Sequence, residues 1–119
     1  MLNTRFLLTI ALAILMIAAG ITHFLKTRLY LRIVPQFLPL RIPIVQLSGL
    51  IELAAGIGLC IPGYRHRAAT LVLILMIAFL PLHIWDVFRD RPAMGTRQLA
   101  WIRLPIQFLL IAWAWYVMG

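Results

Sequence analysis

Four long apolar runs, separated by short stretches rich in arginine and proline, set the pattern of this chain. They fall at about residues 6–25, 43–61, 67–88 and 98–118. Each approaches the roughly 20 residues that a helix needs to cross the hydrocarbon of a bilayer. The pattern predicts an all-α fold, a polytopic membrane protein built as a four-transmembrane-helix up-down-up-down bundle. The loops are too short to fold alone, so residues 1–119 read as one transmembrane domain. The first run imitates a signal peptide, with Arg5, an apolar centre, and then Ala18, Ala19 and Gly20. It continues to Leu25, however, and reads as an uncleaved first span.

The connections differ in character. The first, residues 26–42, carries Lys26, Arg28, Arg32 and Arg41 among Tyr30, Leu31, Ile33, Val34, Phe37, Leu38 and Leu40. Pro35, Pro39 and Pro43 recur every fourth residue, so no long helix passes through. The segment is too apolar for a free loop. A short interfacial helix followed by an extended piece on the bundle mouth is the expected form, with a lipid-facing connector as the plainer alternative. Pro62-Gly63 ends the second span in a tight turn. Residues 89–97 form a polar, turn-like third loop. Pro81 interrupts the third span and is expected to kink it. With Pro105 in the fourth, it would splay the helices and open a pocket. Trp113, Trp115 and Tyr116 at one end, with Trp85 and Trp101 at the other, read as aromatic belts.

Against this apolar background the polar positions stand out. Glu52 lies in the run Ser48 to Gly56 with no other charge near it. A lone carboxylate at mid-bilayer costs at least a few kcal/mol, so an inward orientation and a partner are expected. On a helix, Ser48, Glu52, Gly56 and Cys60 form one row four residues apart, and small residues there let helices approach closely. Gly20, His23 and Thr27 share a face at the end of the first span. His83 and Asp86 are three apart at the end of the third. Arg103 and Gln107 are one turn apart near the start of the fourth. In an up-down-up-down bundle His23, Glu52, His83, Asp86, Arg103 and Gln107 all fall in the half nearest the first and third loops. Arg103 is the natural counter-ion of Glu52, about one turn shallower and within reach of its side chain. The candidate ligand pocket therefore comprises His23, Tyr30, Ser48, Glu52, His83, Asp86, Arg103 and Gln107, with Tyr30 and Phe37 as a lid. The competing reading is structural, in which buried Glu–Arg and Asp–His pairs only fix helix register. His23, Glu52, His83 and Asp86 are chemically able to hold a metal but lack a ligand-motif spacing, so no metal site is assigned. A proton relay through His23, Glu52 and His83 is equally allowed by chemistry. No catalytic residue is assigned.

Composition narrows the classes further. Hydrophobic residues make up 64% of the chain, and the net charge is +8. The basic residues lie almost wholly between the apolar runs, which fits topology signals and lipid-phosphate contacts rather than nucleic-acid binding. The first and third loops hold seven of them and the N-terminus and second loop three. The positive-inside rule then places loops one and three, and the pocket, towards the cytoplasm. The single cysteine, Cys60, excludes an intrachain dithiol centre and reads as a small buried apolar residue.

Several segments carry a resemblance. These are Gly20 to Phe24, Tyr30 to Pro35 with Leu38-Pro39, Ser48 to Gly56, Arg65 to Ala69, and Trp101 to Gln107. In their order and spacing the chain resembles the DoxX-like family of small four-helix bacterial membrane proteins. The resemblance implies a compact membrane bundle in a bacterial cytoplasmic (inner) membrane. Relatives in that family are tied to quinone-coupled oxidation or to assembly of other proteins. Three functional readings follow. The first is a non-enzymatic integral membrane protein that binds a small amphipathic ligand or a partner protein. The second is a quinone-binding subunit of a membrane oxidoreductase, needing an electron-donating partner. The third is a small transporter acting as a homo-oligomer with Glu52 as a proton-coupled site.

Overall fold

A computed structural model describes residues 3–34, 37–89 and 96–119. The fold is all-helical among them. The helices are α1 (Thr4–Leu25), α2 (Thr27–Leu31), α3 (Arg41–Leu59), α4 (Arg65–Phe88) and α5 (Arg97–Met118), with one 3-10 turn at Pro62–Tyr64 between α3 and α4. Four of these segments are long and apolar enough to cross a membrane: α1, α3, the 3-10 turn with α4, and α5. Pro35 and, in the third loop, residues 90–95 lie outside the described residues.

Local chemistry fixes the ends. The Asn3 side chain accepts from Phe6 N at 2.7 Å and starts α1, and Thr96 accepts from Leu99 N at 3.1 Å to start α5. Such caps satisfy backbone donors that a helix leaves open at its first turn. The first connection holds the expected short helix, α2. Leu40 then turns the chain into α3 through the left-handed region (φ 57°, ψ 43°), which a branched side chain adopts only against strain. Arg41 secures this turn by donating to the carbonyls of Leu31 and Val34. Pro81 and Pro105 both lie inside continuous helices.

α1 packs chiefly on α3 and α4 on α5, while the α3–α4 and α1–α5 contacts close the bundle. The α1–α3 contact depends on glycine. A Cβ at Gly20 would lie 2.6 Å from Gly49 O, and one at Gly56 2.9 Å from Ala13 O. The apolar core gathers at the end near the 3-10 turn, around Leu12, Met16, Leu59, Val72 and Val117. Polar side chains gather at the other. One polar residue missed by the sequence reading sits in the apolar half: Thr9 is fully buried, and its hydroxyl donates to Arg5 O at 2.7 Å. Meanwhile Ile44, Leu47, Leu50 and Ile57 of α3 all face outward.

Candidate functional site

The glycine contact between α1 and α3 brings Glu52 against His23. Glu52 is only 3% exposed. His23 Nδ1 donates to Ala19 O, one turn back on its own helix, at 2.8 Å. The same nitrogen is 3.4 Å from Glu52 Oε2. Its proton is thus already engaged, and Glu52 Oε2 is left buried with no hydrogen-bond partner. Tyr30, from α2, covers the histidine. The two rings stack with centroids 3.8 Å apart and planes inclined by 19°. Burial pushes the Tyr30 phenol above its usual range; Glu52 pushes the same way and Arg103 opposes it.

The facing wall comes from α4 and α5. Arg103 Nη2 donates to Gln107 Oε1 at 2.9 Å. Gln107, fully buried, donates in turn to Met76 O at 2.6 Å. That chain ties α5 to α4 and satisfies the amide at both ends. Arg103 Nη1 is buried without a partner, and so is His83 Nδ1. Arg103 lies within electrostatic reach of both Tyr30 and His83.

The structure therefore gathers His23, Tyr30, Glu52, His83, Arg103 and Gln107. It does not bring in Ser48, whose hydroxyl donates to Val45 O of its own helix at 2.8 Å. Asp86 is buried at the end of α4 and sits 3.4 Å from Arg89, though it remains within electrostatic reach of His83. The expected Glu52–Arg103 ion pair is not formed. Among the described residues Glu52 lies instead beside His23, a contact that is ionic only when the imidazole is protonated, and Asp86 pairs with Arg89; Arg103 is held by Gln107 on its own helix. Phe37 is 82% exposed and is no lid. Cys60 is exposed rather than buried.

A family model described as Domain of unknown function (DUF8561) matches residues 12–118. The chain belongs to this family. No curated protein and no solved structure matches it. The match takes in every residue of the polar cluster and leaves out residues 1–11, which include the first turns of α1, and Gly119. The DUF8561 chain thus carries on three of its long helices a carboxylate acceptor, a guanidinium donor and an imidazole nitrogen, each with an unsatisfied buried atom. Such atoms are scarce in folded proteins and costly when left open. Among the described residues no group of three or more His, Cys, Asp or Glu side chains is arranged to hold a metal ion. The chemistry on offer is recognition of a polar group carrying both a donor and an acceptor.

Other polar contacts escaped the sequence reading. Trp113 Nε1 donates to Leu8 O at 3.0 Å and joins α5 to α1. Arg97 donates to Val87 O at 3.1 Å and to Arg89 O at 2.9 Å. All three acceptors are backbone carbonyls, which no residue pattern marks out in advance.

Proposed function

We propose that this chain is a non-enzymatic integral membrane protein of DoxX-like type. Its four long helices cross the bilayer as an up-down-up-down bundle, and its polar cluster binds the head of a small amphipathic ligand or a polar group of a partner protein. Support for the membrane comes from an inverted polarity. Large aliphatic side chains face outward along the helices, while Glu52, Asp86, Gln107, Thr9 and His23 are inside. A soluble monomer rarely exposes so much contiguous apolar surface. Support for the bundle order comes from contacts that run in opposite residue order, Gly20 against Gly49 and Gly56 against Ala13. The positive-inside count favours loops one and three towards the cytoplasm of a bacterial cell. On that orientation, a membrane-impermeant maleimide added to intact cells labels Cys60.

The observation that carries the binding reading is the set of three buried, unsatisfied atoms: Glu52 Oε2, His83 Nδ1 and Arg103 Nη1. Ionisable groups placed at such depth are functional by default. An apolar cleft of about 330 Å³, lined by Leu31, Leu38, Leu40, Arg41, Ile42 and Pro43, opens at the same end of the bundle and suits an apolar tail. A quinone head is the second reading, favoured by the open Arg103 donor, which suits a quinone carbonyl oxygen. It needs an electron-donating partner, because the protein would supply only binding and orientation. Native mass spectrometry of the detergent-purified protein, with an organic extract of the same sample, tests the proposal. One stoichiometric amphipathic species is expected, and a quinone selects the second reading. A protein bare of everything except bulk lipid, with no co-purifying partner, overturns both.

A further inference from the structure

The opposite end of the bundle has its own charge problem. Arg5, Pro62, Gly63, Arg65, His66 and Met118 line a cleft of about 390 Å³ there. That is within the roughly 300–1,000 Å³ typical of small-molecule sites. Arg5 comes from the first turn of α1 and Arg65 from the first of α4. The Arg5 guanidinium is held over the Tyr116 ring, 4.9 Å from its centroid. His66 is anchored by Nδ1 donating to Met118 O at 2.9 Å. Arg65 Nε is buried and has no hydrogen-bond partner. Neither arginine forms an ion pair among the described residues, where the two carboxylates in such pairs are Glu52 and Asp86 at the far end. The chain holds only one other acidic residue, Asp90, which adjoins Arg89 in sequence. Two cations thus face one cleft, and among the described residues neither pairs with a carboxylate; Gly119, the last residue, lies beside Arg5.

We infer that this cleft is a phosphate-binding site, with the Arg5 and Arg65 guanidinium groups as its donors. A forked guanidinium matches two oxygens of a phosphate group, which a single ammonium does not. The phosphate comes from a lipid headgroup or from free anion. The lipid source rests on the membrane reading above, since it needs the cleft at the headgroup level of a bilayer.

The test is native mass spectrometry of the full chain in detergent, titrated with phosphatidylglycerol, phosphatidylcholine and inorganic phosphate. The first phosphatidylglycerol is expected to bind more tightly than phosphatidylcholine. Each arginine near a membrane surface is worth roughly fivefold in affinity, so the Arg5→Gln/Arg65→Gln double variant should bind it about 25-fold more weakly. Arg65→Lys should fall between, because it keeps the charge and loses the fork. Arg28→Gln/Arg32→Gln, at the other end, should bind as wild type. Displacement by excess inorganic phosphate assigns the site to free anion, and resistance to it assigns the site to lipid. A double variant that melts cooperatively yet binds phosphatidylglycerol like wild type overturns the inference, and so does equal binding of the two lipids. Should the double variant fail to fold, each single variant carries the same comparison at about fivefold. A chain that is soluble without detergent would overturn the membrane reading instead. The cleft would then stand or fall on inorganic phosphate alone.

Discussion

The α1–α3 pair is joined through glycines, whereas the α4–α5 pair is joined through polar side chains. In the first, backbones touch at Gly20, Gly49 and Gly56, and the one charged group between them, Glu52, keeps an oxygen unsatisfied. In the second, Gln107 spends its amide on Met76 O and its carbonyl on Arg103. Close packing between small residues and interhelical hydrogen bonds are the two means of joining helices where water offers no help. The difference separates roles. Gln107 has every partner it needs and reads as structure. Glu52 is buried at similar cost with one oxygen unsatisfied, and the proposed binding role rests on that oxygen.

The comparison breaks most visibly at Gly20. A Cβ there would meet the backbone O of Gly49 at 2.6 Å and the backbone N of Leu53 at 2.9 Å, neither of which rotates away. Gly20→Val should therefore cost about 3 kcal/mol or more, and a thermal melt in detergent should show loss of the cooperative transition. Gln107→Leu comes next, at about 1–3 kcal/mol. It removes the bond to Met76 O and leaves Arg103 without its acceptor. The predicted readout is a lower melting temperature with membrane targeting unchanged. Smallest is the effect of Tyr30. Its folded phenol gives up its proton later than the unfolded one, because burial and Glu52 both oppose the phenolate more than Arg103 favours it. Its contribution to stability is fully present below about pH 10 and is lost as pH rises through the folded value. Spectrophotometric titration should show one tyrosine ionising late, and Tyr30→Phe should remove that component.

Much of this was legible in the residues. Run length and polarity alone located the four long helices, because a 20-residue apolar run has few other outcomes. Counting residues at 1.5 Å each placed His23, Glu52, His83, Arg103 and Gln107 at one end. Partner choice was not legible. Arg103 could be paired on paper with Glu52 or with Gln107, and it bonds Gln107, one turn away on its own helix. The fate of Cys60 has a geometric cause. Positions four apart drift about 40° per step around a 3.6-residue helix, so the row begun at Ser48 has rotated outward by Cys60. The buried face instead steps through Val45, Gly49, Glu52, Ala55, Gly56 and Leu59, mixing threes and fours. Phe37 lacked any periodic cue, since proline-rich segments carry none.

The most direct test sets Glu52→Gln beside Asp90→Asn and reads two quantities on each: melting temperature, and the stoichiometry of co-purified ligand or partner. A Gln at position 52 keeps the shape and removes the charge that the bundle leaves unmet. The account predicts that Glu52→Gln loses the bound species while melting close to wild type, and that Asp90→Asn changes neither. Wild-type stoichiometry retained by Glu52→Gln, or equal effects of the two variants on both readouts, would contradict a binding site built around Glu52.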